Sequence, residues 1–388
     1  MSSDHLSGED RKFQCESHSK FDPFFMDKVC TPLLRLIPKS VHPNTISIIT
    51  HLISWATLFL AYYAWRLGPV WRSVFIVGVA FGLVGTITGD YLDGMQARRT
   101  NQSSKLGEMM DHWLDTIGAP LNTAAIALAM QMPAWVLAPM HISNVMIYNA
   151  QLVLYHHAGV FVHPKASGSG GLFQTSISLI ALAFLYRIYG RDNFWVELLI
   201  IGLGVVGVVL MATNLAFFYI RLKQLVVRHV YFAVFCLGFA ALYTWGAIDT
   251  LAFLLAITFL SFRINGAYVM STIINRRFNG YDSAVVLWLL AIYLAYLFGV
   301  PRTLAGYHAP TVLTYLACAY IVLYNGIDFT RRFSEFAPQD EIKPRVTRPR
   351  SEPELAAQTD PLVVSEIEKQ YARRRRLESE YGSDGNAV

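Results

Sequence analysis

Ten apolar segments follow one another between residues 45 and 328, near 45–65, 71–89, 108–131, 134–156, 172–188, 194–219, 229–247, 251–273, 283–299 and 310–328. At 1.5 Å rise per residue, a helix of about 20 residues matches the hydrocarbon core of a bilayer. The pattern predicts an all-α, polytopic integral membrane protein with about ten transmembrane helices. The composition agrees, since 54% of the 388 residues are hydrophobic and only 15% are charged. The formal charge of +5 is small and resides mostly in loop arginines. It does not point to nucleic acid as a partner. The four cysteines, Cys15, Cys30, Cys236 and Cys318, are too far apart to suggest a disulfide framework or a zinc site.

The flanks read differently. Residues 1–20 are polar, carry no signal-peptide pattern and are expected to be disordered. Residues 21–38 mix Phe, Leu, Ile and Met with Asp27, Lys28 and Arg35, so the block 21–42 is expected to form an amphipathic segment on the membrane surface. His42-Pro43-Asn44-Thr45-Ile46 then opens the first span. Pro43 suits a first helical turn, with Asn44 or Thr45 as the expected cap. Residues 336–388 are a polar tail with a helical piece near 362–380. Arg373 to Arg376 stand in a row there, a solvated face or a patch for anionic membrane lipid. With the loop after the second span in the cytoplasm, the loops on that side hold eleven Lys and Arg against five opposite. The positive-inside rule then places both termini in the cytosol.

Acids interrupt this apolar plan in one stretch of 26 residues, from Asp90 to Asp115. Charge at a membrane boundary is costly and seldom kept without a function. On a helix Asp90 and Asp93 fall within about 60° of each other. Gly94 and Ala97 lie on that face and leave space beside the acids. Glu108, Asp111, His112 and Asp115 share one face of the next helix. Two opposed acid faces make a cage of hard oxygen ligands suited to Mg²⁺ or Mn²⁺, with phosphate completing the shell.

The pattern D-x2-D-G-x2-A-R-x8-G-x3-D-x3-D is filled by Asp90, Asp93, Gly94, Ala97, Arg98, Gly107, Asp111 and Asp115. It resembles the CDP-alcohol phosphotransferase family. The resemblance implies that a CDP-alcohol passes its alcohol phosphate to a second hydroxyl and that CMP leaves. It implies Asp90, Asp93 and Asp111 as metal ligands, with Asp115 a ligand or close to the attacking hydroxyl, and two Mg²⁺ or Mn²⁺ ions. Gly94 and Ala97 would make room for nucleotide, and Arg98 would hold a phosphate. Asn44, Gly107 and Tyr155 complete the expected substrate contacts. Arg99 points about 100° further round and reads as a loop charge.

His112 is the natural base near neutral pH, with Glu108 one turn earlier to orient its ring. Asp115 is the alternative base. Gly107-Glu108-x2-Asp111-His112 is similar to the eukaryotic choline and ethanolamine phosphotransferase branch. So, loosely, are Lys20-Phe21, the His42 to Ile46 segment, Tyr155-His156-His157-Ala158-Gly159 and a glycine-rich loop from Gly168 to Gly171. His156 and His157 are either solvated or in reach of phosphate. Trp113 departs from that branch, which carries a small residue there, and is read as lining the acceptor path. The loop over 155–171 also lacks the branch's acid.

The expected organisation is a catalytic core at 43–190 and C-terminal helices at 191–335 that serve lipid entry or a homodimer. The leading function is transfer of phosphoethanolamine or phosphocholine to a lipid hydroxyl, diacylglycerol or ceramide, on the cytosolic face of the endoplasmic reticulum or Golgi. The alternatives are a CDP-diacylglycerol-dependent phosphatidyltransferase and an ion-coupled transporter.

Overall fold

The computed structural model describes residues 14–17, 21–158, 160–163, 169–190, 192–221, 226–273, 283–299 and 307–336. In chain order the elements are β1 (Gln14–Ser17), α1 (Phe21–Phe25), a π-helical turn (Met26–Cys30), α2 (Thr31–Leu36), α3 (Pro43–Ala64) and α4 (Pro69–Thr100). Then come α5 (Lys105–Met130), α6 (Ala134–Ala158), β2 (Val160–His163), α7 (Ser169–Tyr189), α8 (Phe194–Arg221) and α9 (Val226–Thr244). The chain continues as α10 (Thr250–Ile273), α11 (Ser283–Leu297) and α12 (Ala309–Phe336).

Each of the ten expected spans is one helix, α3 to α12. Among the described residues six of them, α3, α4, α7, α8, α10 and α12, are long and apolar enough to cross a membrane. The apolar parts of α9 and α11 are shorter, at Val230–Thr244 and Ser283–Leu297. α5 and α6 carry more polar groups along their length, among them Glu108, Asp111, Asp115 and Asn122 on α5 and His141, Asn144, Asn149 and Gln151 on α6. The fold is a polytopic all-α membrane protein, with one small exception. β1 pairs in parallel with β2, Gln14 opposite Val160 and Ser17 opposite His163. This corrects the expectation of disorder throughout 1–20: Val160-Phe161-Val162 is a β-favouring run, and its open edge takes up the polar segment. The tail from 337 onward, with Arg373 to Arg376, lies outside the described residues.

α3 and α4 set the geometry of the core. A Cβ added at Gly82 would run into Thr57, and one at Gly89 into Thr50. Both pairs are seven residues apart, so the two helices touch along one small-residue seam. The buried hydroxyls are satisfied within their own helix, Thr50 by Ile46 O at 2.9 Å and Thr57 by Ile53 O at 2.7 Å. α5 packs against α3, and α10 closes over α5 and α6. Of α10's apolar window 72% is buried, against 17% of α8's, which makes α10 a core helix and leaves α8 to the lipid.

The segment from α1 to α2 is two-sided, as expected. Phe25 and Cys30 are buried, and Phe24, Leu33 and Leu36 are exposed. The inner face packs on α4 and α7, with Phe25 6.0 Å from Tyr91 and Phe21 5.3 Å from Phe173, ring centre to ring centre. Burial, and then the nearby Asp90, push the Cys30 thiol up to about 11, so it stays protonated at neutral pH. Cys30, Cys236 and Cys318 are all free and buried. The glycine-rich stretch is not a loop from Ser169 on, because Ser169 already opens α7. There the missing side chain of Gly170 lets the helix approach Phe21.

Candidate active site

The acid stretch folds as two helix ends facing one another. α4 runs on to Thr100 and stops at Asn101, which takes the left-handed conformation (φ 55°) and donates to the Ala97 and Arg98 carbonyls. Ser104 caps the next helix, its hydroxyl accepting from Gly107 N at 3.0 Å. The first motif half therefore sits on the last turns of α4, and the second on the first turns of α5.

This arrangement brings Asp90, Asp111 and Asp115 together. One carboxylate oxygen from each lies within 4.8 Å of the others. Asp90 is exposed, while Asp111 and Asp115 are half-buried, so the cluster opens on one side. Three hard carboxylate oxygens at this spacing form a donor set that can hold a metal ion. Asp93 stands beside the cluster instead of in it. Its carboxylate is buried and accepts from the Ser47 hydroxyl on α3 at 2.6 Å.

The expected substrate contacts occupy the same end of the bundle. The cap of α3 is His42, whose Nδ1 accepts from Asn44 N at 3.2 Å, and not Asn44 or Thr45. Pro43 takes the first helical position, so the cap is the residue just before it. The Asn44 side chain is thereby left to face α5, where its amide donates to the Met110 sulfur at 3.4 Å. A Cβ at Gly107 would sit 3.4 Å from Asn44 Oδ1. Arg98 is exposed and folds back over Gly94, its guanidinium 3.3 Å from where a Cβ would stand. Ala97 lies in the closing turn of α4, where its carbonyl accepts from Gln102 N at 2.9 Å.

His112 is buried at the start of α5, and its backbone carbonyl accepts from Tyr148 OH at 3.2 Å. Glu108, one turn earlier, accepts from Tyr155 OH at 2.5 Å. Among the described residues, the Glu108 carboxylate is bonded to Tyr155 and not to His112. One turn deeper, a polar chain ties α6, α10 and α5 together. Asn149 donates to Asn265 Oδ1 at 2.6 Å, Asn265 to Ser261 Oγ at 2.9 Å, and Ser261 to the Thr116 carbonyl at 3.1 Å. Trp113 does not line an open path. It stacks on Phe329 at 4.7 Å and packs on Phe262, with its indole nitrogen 2.9 Å from where a Cβ of Gly266 would stand. The side chains of His156 and His157 lie outside the described residues.

Arg99 is not a loop charge. α4 extends past it, and the side chain reaches the end of α2, where helix carbonyls have no partner within the helix. It donates to Leu34 O at 2.6 Å and Ile37 O at 2.8 Å, and also to Gln96. Gln96 in turn donates to Pro38 O at 3.1 Å and Val41 O at 2.7 Å. Arg99→Ala is expected to cost on the order of 2 kcal/mol, from two hydrogen bonds to a charged donor. The readouts are a lower Tm and faster proteolysis between α2 and α3. Arg99→Lys should recover less than half of the loss, since an ammonium cannot fork across both carbonyls. Unchanged protease resistance in Arg99→Ala would show that the latch is not what holds α2.

Sequence reading had passed over Ser47, Gln96 and Tyr148. A signal for Ser47 was present: Ser47, Thr50, Ser54 and Thr57 recur at helical spacing, which marks a close-packed helix face.

The family model for CDP-alcohol phosphatidyltransferase matches residues 40–220, the part that carries both acid-bearing helix ends. Over these residues the chain is similar to the CDP-alcohol phosphatidyltransferase family. Similar proteins include Cholinephosphotransferase 1 of Rattus norvegicus, 28% identical over 194 residues, which are 48% of this chain and 46% of that protein. Cholinephosphotransferase 1 of Xenopus laevis is 33% identical over 154 residues, covering 38% and 37% of the two chains. Choline/ethanolaminephosphotransferase 1 of Saccharomyces cerevisiae is 28% identical over 193 residues, or 47% of each. The chain spans about half or less of the length of the curated relatives it matches. α10 and α12, which supply Ser261, Asn265, Gly266 and Phe329, lie beyond the part matched by the family model.

Proposed function

We propose that this protein transfers phosphoethanolamine or phosphocholine from a CDP-alcohol to the free hydroxyl of diacylglycerol, releasing CMP. The observation that carries the reading is the convergence of Asp90, Asp111 and Asp115 from two helices beside the buried His112. The names of the similar proteins support the choice of donor. The lipid hydroxyl attacks the phosphorus that bears the amino alcohol, the bond from that phosphorus to the bridging oxygen breaks, and CMP leaves with that oxygen.

Asp90, Asp111 and Asp115 would hold Mg²⁺ or Mn²⁺, one or two ions, with Asp93 supporting the set through Ser47. Bound metal would neutralise the pyrophosphate charge and stabilise the leaving phosphate. His112 takes the proton from the attacking hydroxyl, and Glu108 keeps the imidazole basic and oriented. Arg98 reaches from its place over Gly94 to hold a phosphate in a forked contact. Asn44 and Gly107 border the nucleotide end. The reaction runs at the cytosolic face of an endoplasmic reticulum or Golgi membrane, the side chosen by the loop charges.

The test is CMP release in micelles containing diacylglycerol, with CDP-ethanolamine and CDP-choline as donors. Ceramide micelles, and CDP-diacylglycerol with inositol, glycerol or serine, run beside them. Turnover is expected with the CDP-amino alcohols and diacylglycerol. Turnover only with CDP-diacylglycerol would overturn the donor assignment, and turnover only with ceramide the acceptor.

A further inference from the structure

We infer that Tyr155 is a positioning residue for the proton transfer, acting through Glu108 on His112. The inference rests on the function proposed above and assigns Tyr155 a task other than substrate contact.

Glu108 is half-buried on the first turn of α5, and Tyr155 on α6 is 6% exposed. The 2.5 Å separation from the tyrosine hydroxyl to Glu108 Oε1 lies in the range of a charge-assisted O–H···O⁻ bond. The Tyr155 ring also stands against the imidazole, with centroids 5.9 Å apart and planes tilted by 48°. Glu108 is four residues before His112, so both project from the same face of α5. Oε1 is engaged by Tyr155, and the proposed role assigns Oε2 to the imidazole, which it would meet by a turn of the carboxylate about its last torsion. A glutamate has three side-chain torsions, and a hydroxyl from a neighbouring helix removes most of that freedom before substrate arrives.

α6 makes a second bond of this kind. Tyr148 lies seven residues before Tyr155, about 20° away around α6, and donates to the His112 carbonyl at 3.2 Å. One tyrosine thus holds the side chain that serves the base, and the other holds the base's own backbone. α6 in turn is anchored to α10 through Asn149 and Asn265. The base is registered against the bundle by α6, while the acids on α4 are registered by α3 through Ser47 and Asp93.

The test is a double-mutant cycle on the full-length protein, because a residue that acts through another loses its effect when that other is removed. Tyr155→Phe keeps the ring and removes only the hydroxyl. It is expected to lower kcat on the order of 10-fold, with KM for the CDP-alcohol held within about twofold. In a Glu108→Gln background the same change should cost nothing further. Tyr148→Phe is the comparator: its loss should be the same in both backgrounds, because its bond goes to backbone. A second readout needs no turnover. The rate of His112 acylation by diethylpyrocarbonate, followed by mass spectrometry, should fall several-fold in Tyr155→Phe and not fall further from Glu108→Gln to the double variant. Full kcat and full acylation rate in Tyr155→Phe would overturn the proposal. So would an undiminished effect in the Glu108→Gln background, which would make Tyr155 a direct substrate contact. If wild type releases no CMP from any CDP-alcohol while the acylation cycle behaves as expected, the reaction assignment fails and the positioning role stands.

Discussion

Removing divalent metal abolishes CMP release, and Asp90→Ala, Asp111→Ala and Asp115→Ala each do the same: this is the largest effect expected. The reason is electrostatic. Carboxylate oxygens within 4.8 Å of one another repel by roughly 3 kcal/mol per pair at an effective dielectric of 20. Three such acids at the head of two apolar helices are tolerable only if a cation or shared protons offset that repulsion. A bound ion that supplies several kcal/mol of charge stabilisation accounts for a rate factor on the order of 10³ or more. Asp93→Ala should be equally inactive. Ser47→Ala, which removes only the bond that aims Asp93, should lose far less. Two measurements separate site from scaffold. Mg²⁺ should raise the Tm of the wild type by linkage and leave that of Asp111→Ala unmoved. In chelator, Asp111→Asn should melt no lower than wild type, because it relieves repulsion. Ca²⁺ should raise Tm yet support little turnover, since it prefers more ligands at longer distances. Full activity in chelator would sink the assignment.

The second large effect is at His112. His112→Ala is expected to lower kcat by about 10²–10⁴-fold, the usual scale for losing a general base. Binding of the CDP-alcohol should be largely kept, because the proposed donor contacts are a cation held by the acids and the Arg98 guanidinium, not His112. The structure adds a reason why few other groups can substitute. His112 is buried, its carbonyl is held by Tyr148, and its ring faces Tyr155. Glu108→Gln should give a smaller loss, since it keeps the shape and removes only the charge that supports the imidazole. Asp115 is the one other candidate on this face of α5. It belongs to the three-acid cluster, so a bound cation would make it a poor base. If His112→Ala turns over at a near-normal rate, Asp115 takes the role and the Tyr155–Glu108 pair has no proton to serve.

Much of this protein is determined by short stretches of its sequence. The ten helices α3 to α12 fall where ten apolar runs place them, because hydropathy over about 20 residues is a local property that the bilayer reads directly. The acids could be assigned to two helix faces from their spacing alone, since the period of 3.6 fixes which side chains share a face. What spacing could not supply is which groups meet across helices. Ser47 reaches Asp93 from 46 residues away, Tyr155 reaches Glu108 from 47, and Arg99 reaches Leu34 from 65. Each of these depends on how closely two helices approach; for Ser47 and Asp93 the approach of α3 to α4 is set by the seam of Gly82 and Gly89 against Thr57 and Thr50. Helix ends were misjudged for the same reason. Arg99 looked like a loop charge because hydropathy fades near residue 89, yet α4 continues to Thr100 once α2 offers carbonyls for Arg99 and Gln96 to bind. Trp113 looked like a wall of an open path because its neighbours in sequence are the acids. Its neighbours in space are Phe262, Gly266 and Phe329, from helices that begin 137 and 196 residues later. The chemistry of the site was written along the chain, and its registration, the part that orients each group within a fraction of an ångström, exists only once the helices pack.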